Sequence, residues 1–493
     1  MTRRAAAGLG ALAGLLYWLG LPGGVAWPFA VASFAPLALA AHRGARAGAI
    51  AGAAMGVVAG GLSMSFVPTV LARYGGISAA PGVVVLVVAT IVTASPFALL
   101  GAGAGWARGR GVPAAIGMAL LLPTLEASLP IPFRWSLAAS MVDARAIVGL
   151  ADWIGAPLVG GLTVFLGASL GLACAHRAWR AFIAPGVVSA ALLALAWARQ
   201  PDDSGPPLDV AVIQPGAAPE VGERADDATY ARHVALSREA SEAGAALIVG
   251  AEGVAPGVMR IEEAAAALGD LPATSVVGAV VDDGGTLRNT ALAVHGGAIF
   301  GRHDKHWLLP LSEQAPESVA RWLGHRSFTE GRSPRALDLG IVKIGVTICY
   351  EELVDGALTG PVRQGAQLLV SLSHDAWFDG FKVGEVQLAH ARLRAIEQRR
   401  WMLRASTTGI SAIIDDQGRV VARARVGESR AVRGSVRLAE HVPPATRFHP
   451  SLRVVPGLGL MVLLSLGEYR RRRSVQRSGP VGPEIDSLTA PWH

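Results

Sequence analysis

The chain has 493 residues, of which 52% are hydrophobic and 16% are charged, and its formal net charge is +7. Soluble domains carry about 25% charged residues, so this composition excludes a uniformly soluble protein. The arginines lie beside apolar runs rather than along one helical face, which argues against nucleic-acid binding and indicates membrane topology. Two cysteines, Cys174 and Cys349, are too few for a disulfide framework.

Apolar runs dominate the first 198 residues. A helix needs about 20 apolar residues to cross the hydrocarbon core of a membrane. The pattern predicts a membrane domain over residues 1–198 with seven transmembrane helices, at about 5–20, 24–41, 47–71, 80–106, 112–129, 156–175 and 182–198. A shorter run at 452–469, which contains Arg453, predicts an eighth transmembrane helix.

Arginine clusters mark alternate loops between these runs. With eight spans, every cluster falls on one side of the membrane, which the positive-inside rule assigns to the cytoplasm. The clusters are Arg3–Arg4, His42–Arg43 with Arg46, Arg108 with Arg110, Arg177 with Arg180, and Arg470–Arg473. Both ends are then cytoplasmic, the basic tail 470–493 is expected to be disordered, and residues 199–451 lie outside. A cleaved signal peptide is the alternative for the first run, but no small-residue cleavage site is evident and six further spans follow.

Residues 199–451 follow a different pattern. A polar linker at 200–207 leads into short, β-branched runs at 208–214, 246–251, 275–281 and 342–348, which are typical of buried strands. Residues 226–244 and 383–399 have the pattern of helices. The alternation predicts an α/β domain of about 250 residues, large enough for its own core.

Three reactive side chains follow predicted strands of this domain: Glu252, Lys305 and Cys349. Taken singly, the cysteine could be a small buried residue, and the two charged residues could be solvated strand ends. Functional sites gather at the carboxyl ends of strands in α/β sheets. A thiol needs a base to become a nucleophile, which Glu252 could supply, while Lys305 could stabilise an oxyanion. Sequence order alone does not establish that the three meet.

The motifs around these residues resemble a known family. Glu252, the segment Asp304–Glu313 and the segment Ile348–Glu351 resemble the Glu-Lys-Cys triad of the nitrilase superfamily. The segments Ser373–Phe378 and Arg404–Ala412 are similar to those of the apolipoprotein N-acyltransferase family, as are Pro132–Trp135 and Leu150–Gly155. That family has eight spans, with its nitrilase-like domain between the seventh and the eighth, so the resemblance covers nearly the whole chain.

The resemblance implies a polytopic α-helical membrane domain and a nitrilase-like α-β-β-α sandwich at 199–451 on the periplasmic side of a bacterial inner membrane. It implies that Glu252 is the general base, Lys305 the oxyanion-stabilising cation and Cys349 the acylated nucleophile. Four further residues match supporting positions of the family: Glu313, Tyr350, Glu351 and Trp377. A salt-bridge partner is the alternative for the carboxylates, and core packing is the alternative for the aromatic residues.

The implied reaction transfers an acyl chain from a phospholipid, through a thioester on Cys349, to the amine of a diacylglyceryl-cysteine on apolipoproteins. Trp307, Leu308 and Leu309 could line the acyl route, with core packing as the alternative for each. The implied partners are phospholipid, diacylated apolipoproteins and membrane lipids, and we expect a monomer. No metal site or cofactor is expected, because the histidines are scattered and Cys-x-x-Cys does not occur.

Three positions depart from the family pattern. Gly250-Ala251 stand where the family usually has Trp-Pro, Ser312 replaces a common glycine, and His374 replaces the usual asparagine. The first change alters the wall beside the expected base. Two other functions remain open, namely a membrane-anchored amidase or nitrilase that uses water as acceptor, and a non-catalytic binding protein.

Overall fold

A computed structural model of the chain describes residues 1–75, 78–129, 133, 135–176, 205–216, 227–269, 271–310, 312–314, 327–375, 382–447 and 454–477, with a few isolated residues between 186 and 198. The N-terminal part and the C-terminal end are helical. The helices of these parts are α1 (Arg3–Leu19), α2 (Trp27–Ala32), α3 (Phe34–Ala41), α4 (Ala45–Ser63), α5 (Val67–Gly75), α6 (Ala79–Arg108), α7 (Ala114–Ser128), α8 (Arg145–Val148), α9 (Ala151–Ile154), α10 (Ala156–His176) and, at the C-terminal end, α16 (Val455–Arg477).

Helices α4, α6 and α10 are long and apolar enough to cross a membrane. Two predicted spans are interrupted. The run 24–41 breaks at Ser33 between α2 and α3, because Pro36 in the first turn of α3 has no N–H for the preceding turn. The run 47–71 divides at residues 64–66, and Pro68 lies in the first turn of the new helix α5, where a missing N–H costs little.

The structure describes two other predicted segments only in part. The span 182–198 lies mostly outside the described residues. The tail 470–493 was expected to be disordered, but α16 continues through the arginine run to Arg477. Arginine has a high helix propensity, so the run extends the helix instead of ending it. The remainder of the tail lies outside the described residues.

Small residues allow α4 and α6 to pack backbone against backbone. A Cβ atom on Gly48 would lie 2.0 Å from the carbonyl oxygen of Gly101, and a Cβ atom on Gly101 would lie 2.2 Å from that of Gly48. Neither position has room for a side chain. Close contact between small residues is how helices associate in lipid, where the hydrophobic effect gives no preference for helix over lipid.

The central part of the chain forms two β-sheets. Its strands are β1 (Pro207–Gln214), β2 (Leu247–Val249), β3 (Val258–Met259), β4 (Thr274–Asp282), β5 (Leu287–His295), β6 (Ala298–Asp304), β7 (Leu337–Asp338), β8 (Lys343–Ile348), β9 (Leu368–Ser373), β10 (Met402–Ser406), β11 (Ala412–Ile414), β12 (Val420–Arg423) and β13 (Arg430–Arg437). Its helices are α11 (Asp227–Glu242), α12 (Ile261–Ala267), α13 (Thr359–Arg363), α14 (Val383–Gln398) and α15 (Pro444–Arg447). The four predicted strands and both predicted helices of this domain are confirmed.

The sheets pack face to face. The order in one is β13-β1-β2-β4-β5-β6 with β3 beside β4, and the order in the other is β12-β11-β10-β9-β8-β7. Strands β1, β2 and β4 are parallel neighbours, as are β8, β9 and β10. Apolar side chains from both sheets, such as Val212 and Val346, form one buried cluster between them. Helix α11 covers one outer face and α14 covers the other, so the α-β-β-α sandwich is confirmed.

Helix α14 also joins the sandwich to the membrane domain. Its residues Leu388, Ala391 and Ala395 pack on the second sheet. Its opposite face, with Leu393 and Ile396, belongs to the apolar cluster that includes the membrane helices. One helix therefore serves both domains.

Polar bonds reinforce this junction. The Ala156 N–H at the start of α10 donates to Glu397 Oε1 at 3.1 Å, and the Ser136 N–H donates to His390 Nε2 at 3.1 Å. The second nitrogen of His390, Nδ1, lies 2.8 Å from the Val386 carbonyl oxygen. Both bonds require a neutral imidazole, with Nδ1 as donor and Nε2 as acceptor.

We expect acid to weaken the junction through His390. Burial lowers the pKa of His390 to about 4, and nearby Arg394 adds to this effect. Because the folded pKa lies below the ordinary value, the neutral ring stabilises the fold above about pH 6.5, and this stability is lost as pH falls toward 4. Replacing His390 by glutamine should flatten the decline in melting temperature between pH 7 and pH 5, a decline to which the histidine contributes up to about 2 kcal/mol.

The control for this prediction is His295→Gln, since His295 is an exposed histidine at the end of β5. Differential scanning fluorimetry across this pH range would compare the two variants with the unaltered chain. An unchanged acid sensitivity in His390→Gln would contradict the assignment.

Candidate active site

Cys349 lies on a strained turn at the end of β8. Five of the six residues of strand β8 are buried, and a short 3₁₀ helix, Cys349–Leu353, follows it directly. Cys349 itself has φ = +50°, a left-handed conformation that side chains rarely adopt. Such strain persists only where neighbouring structure imposes it, and it is frequent at functional sites.

The carboxylate of Glu351 imposes this turn. Its Oε2 accepts the Ile348 N–H at 2.8 Å, and its Oε1 accepts the His306 N–H at 2.6 Å. The His303 ring adds a contact at 3.3 Å to Oε2. Burial would raise the pKa of Glu351, but His303 and the backbone N–H donors outweigh it and lower the pKa. An ionised Glu351 therefore ties the cysteine turn to the segment that follows Lys305.

A buried lysine connects two carboxylates beside this turn. Lys305 Nζ lies 2.7 Å from Glu313 Oε1 and 3.3 Å from Glu252 Oε1. The amide of Asn289 on β5 donates to the same two oxygens, at 2.7 Å to Glu252 and 3.1 Å to Glu313. Glu313 also accepts the Leu309 N–H at 2.7 Å through its other oxygen. Every group in the cluster is buried and hydrogen-bonded.

The electrostatics of the cluster act on the thiol. Burial raises the pKa of Cys349 well above its ordinary value, Glu252 raises it further, and Lys305 opposes them. Burial would lower the pKa of Lys305, but the two carboxylates outweigh it and raise the pKa well above the usual range. At neutral pH the site therefore holds a neutral thiol beside a permanent ammonium. Such a thiol needs a base during reaction, and Glu252 is the carboxylate that acts most strongly on its pKa.

A second ion cluster lies behind the cysteine turn. The fully buried Arg404 on β10 binds Asp375 Oδ2 at 2.8 Å and Glu352 Oε1 at 3.0 Å. Ser371 on β9 donates to Glu352 Oε2 at 2.8 Å. Burial would raise the pKa of Asp375, but Arg404 outweighs it and lowers the pKa. The cluster connects the carboxyl ends of β9 and β10 with the turn that carries Cys349.

The structure brings some of the sequence-predicted site residues together, but not all of them. Glu252, Lys305 and Glu313 are buried and act on the pKa of the half-buried Cys349, and Glu351 organises the backbone of the site. Tyr350 belongs to an apolar cluster with Trp307, Leu309 and, from the membrane domain, Trp135, and its supporting role at the site stays a prediction. Trp377 lies outside the described residues, so its predicted role stays a prediction.

Sequence reasoning missed Asn289 and the Arg404 cluster. Asn289 occupies a buried position in the apolar strand β5, and an asparagine there needs a buried partner. That requirement was the available signal, but it does not identify the partner. Arg404 begins the motif Arg404–Ala412, but the motif does not indicate an ion cluster. A fully buried arginine requires carboxylate partners, yet burial is not visible in the sequence.

Gly250, which departs from the family pattern, has a structural explanation. A Cβ atom on Gly250 would lie 2.6 Å from Cε1 of His233 and 3.1 Å from Cγ1 of Val277. His233 is fully buried on α11, and burial lowers its pKa to about 4. The ring of His233 thus occupies the space beside residue 250, and the wall near Glu252 is built from α11 instead of from the strand end.

We expect Gly250→Ala to destabilise the fold by about 1–3 kcal/mol through overpacking. Combining it with His233→Ala should cost less than the sum of the two single changes, because the collision is removed. Chemical denaturation of the four chains would measure the coupling. Gly384→Ala is the matched control, since a Cβ atom there meets nothing within 4 Å. If Gly250→Ala and His233→Ala lowered the free energy of unfolding additively, that result would contradict the contact between the two positions.

Both halves of the chain match known protein families. Residues 209–439 match the carbon-nitrogen hydrolase family, and residues 13–169 match the N-terminal domain of apolipoprotein N-acyltransferases. The fold and the matches define a carbon-nitrogen hydrolase-type domain joined to a helical membrane domain. This chain belongs to the apolipoprotein N-acyltransferase family.

Individual relatives align over part of their length. The apolipoprotein N-acyltransferase of Geobacter metallireducens is 31% identical over 259 residues, which cover 48% of this chain and 49% of that protein. The enzyme of Mycolicibacterium smegmatis is 32% identical over 36% of this chain and 32% of its own. The enzyme of Chromobacterium violaceum is 28% identical over 69% of each chain. The chain thus spans about half the length, or less, of the first two relatives.

Proposed function

We propose that this chain transfers an acyl chain from a membrane phospholipid to the N-terminal amine of diacylglyceryl-cysteine on apolipoproteins. The observation that carries the proposal is the buried cluster of Cys349, Glu252 and Lys305 beside a junction with membrane helices. A thiol there can be acylated by a lipid that never leaves the membrane surface. The family membership of both halves of the chain supports the same reaction.

In the first half-reaction, Glu252 takes the proton of the Cys349 thiol as Sγ attacks the acyl carbonyl carbon. Lys305 and a backbone N–H stabilise the oxyanion. The bond between the carbonyl carbon and the glycerol oxygen breaks, and that oxygen takes the proton from Glu252. The products are a Cys349 thioester and a lysophospholipid.

In the second half-reaction, the α-amine of the diacylated lipoprotein attacks the thioester. A bond forms between nitrogen and the acyl carbon, and the carbon–sulfur bond breaks. Glu252 accepts the amine proton and returns it to sulfur. Exclusion of water from the site during the reaction would protect the thioester, which otherwise would hydrolyse.

The proposal includes the placement of the protein. Eight spans hold the chain in a bacterial inner membrane with residues 199–451 on the periplasmic side, where lipoproteins mature. The arrangement of basic residues supports this orientation. We propose that the chain acts as a monomer, with phospholipid as donor and diacylated apolipoproteins as acceptors.

The test is complementation of a bacterium depleted of its own apolipoprotein N-acyltransferase, followed by mass spectrometry of a lipoprotein N-terminus. The expected result is a third acyl chain on the amine, which is absent with Cys349→Ala. Hydrolysis of small amides without acyl transfer would instead establish a membrane-anchored amidase. Rescue of growth by Cys349→Ala would establish a non-catalytic binding role.

A further inference from the structure

A basic cavity lies at the end of the membrane domain that faces away from the sandwich. It has a volume of about 340 Å³ and lies between the start of α1 and the turn from α3 to α4. Three arginines line it, namely Arg3, Arg43 and Arg46. We call these residues and their cavity the arginine pocket.

The position of the arginine pocket follows from the packing of α1 and α4. Gly10 lies against Ala51 and Gly14 lies against Met55, so the two helices run side by side in the same direction. The far end of α1 reaches the sandwich, where Lys382 Nζ lies 3.8 Å from the ring centroid of Trp18. The pocket, at the opposite end of α1, is therefore separated from the Cys349 site by roughly the length of a 17-residue helix, about 25 Å.

The arginine pocket carries unbalanced positive charge. No carboxylate occurs among its lining residues, and within the described part of the chain none of its three arginines forms an ion pair. Helix α4 begins at the pocket, and Gly44 before it provides no side-chain hydrogen bond to the first N–H groups. The free N–H groups of a helix start carry partial positive charge, which adds to that of the guanidinium groups.

Two other basic residues at this end of the membrane domain, Arg108 and Arg110, have partners. Arg108 Nε lies 3.1 Å from His42 Nδ1, and Arg110 pairs with Glu468 and stacks over Trp106. Membrane topology accounts for basic residues at one end of the helices, but it does not require three arginines to converge on one cavity. Their convergence makes this exposed cavity suited to an anion.

We propose that the arginine pocket binds the phosphate of an anionic phospholipid headgroup at the membrane surface away from the sandwich. Arginine is well suited to phosphate because its planar guanidinium makes two parallel hydrogen bonds. The pocket volume equals that of roughly ten water molecules at about 30 Å³ each, so it admits a phosphodiester headgroup rather than a bare ion alone. Basic pockets between transmembrane helices are a recurrent site for anionic headgroups.

The experiment uses the full chain with the Cys349→Ala change, so that no lipid is consumed. Native mass spectrometry would count phosphatidylglycerol molecules retained after titration, with phosphatidylcholine, which is zwitterionic and has no net charge, as the comparison. Arg3→Gln/Arg46→Gln removes two lining charges. Arg4→Gln/Arg108→Gln is the matched control, because it removes two charges from the same end of the domain but outside the pocket.

The expected result is one phosphatidylglycerol bound with at least tenfold lower affinity in the pocket variant than in the control, and no such difference for phosphatidylcholine. Added inorganic phosphate identifies the source: full competition at millimolar concentration would assign the pocket to free phosphate, and no competition assigns it to the lipid. Equal retention by the pocket variant and the control would overturn the proposal. If Arg3→Gln/Arg46→Gln aggregates, Arg43→Gln takes its place with the same outcomes.

Discussion

Replacing Cys349 by alanine is expected to abolish the lipid adduct and to lower turnover by at least about 10⁴-fold, the order of loss caused by removing a covalent nucleophile. The fold should survive, because the change removes one sulfur atom from a half-buried position. Intact-protein mass spectrometry after incubation with phospholipid measures the adduct. Cys174→Ala is the control, since Cys174 is exposed on α10 away from the cluster.

A second measurement separates a catalytic Glu252 from a structural one. Burial and Glu252 hold the pKa of Cys349 high, so its alkylation by iodoacetamide should be slow at neutral pH and should accelerate as pH rises. Glu252→Gln removes the negative charge and should speed alkylation near pH 8 while eliminating acyl transfer. An adduct that persists in Cys349→Ala, or a Glu252→Gln protein that transfers at the normal rate, would contradict the assigned roles.

Replacing Lys305 by methionine is expected to destabilise the sandwich by about 3–5 kcal/mol and to eliminate acyl transfer. The ammonium is 1% exposed and lies between Glu252 and Glu313, so its loss leaves two buried carboxylates with Asn289 as their shared donor. Chemical denaturation measures the first effect, and acyl transfer to a diacylated lipopeptide measures the second.

The double change Lys305→Met/Glu313→Gln distinguishes stability from chemistry. Neutralising Glu313 removes one unpaired charge, so the double variant should regain part of the lost stability but no activity. Lys343→Met is the control, because Lys343 is half exposed and pairs with Asp338 at 3.7 Å, and such surface pairs contribute little. A double variant that recovers acyl transfer would show that Lys305 acts only by balancing charge.

Elements with strong local patterns were predictable from the sequence. The strands that precede Glu252 and Cys349 are short, β-branched and buried, and they appear where the pattern places them. Helix α14 follows its apolar spacing. The helix breaks at Ser33 and at residues 64–66 were not predicted, because hydropathy measures length and does not weigh Pro36 or Pro68 in a first turn.

The site was predictable as a set of residues but not as a geometry. The order of Glu252, Lys305 and Cys349 pointed to one chemistry, while the hydrogen bonds that position them come from residues with no distinctive spacing. Asn289 lies on β5, whereas its partners Glu252 and Glu313 follow β2 and β6, and His233 reaches Gly250 from a helix. Contacts between elements that are distant in sequence arise from packing, which a single sequence does not specify.

Helix α14, which both domains share, affects the solubility of the isolated sandwich and the folding of the chain during synthesis. Residues 205–447 expressed alone would expose the stripe that contains Ala389, Leu393 and Ile396, which in the whole chain is covered by membrane helices. Such a fragment should self-associate or require detergent, unlike water-soluble sandwiches of similar size. The ribosome releases helices α1–α10 before α14. The membrane-domain surface that covers the apolar stripe of α14 is therefore available before α14 is made. The order of synthesis thus protects the sandwich from aggregation.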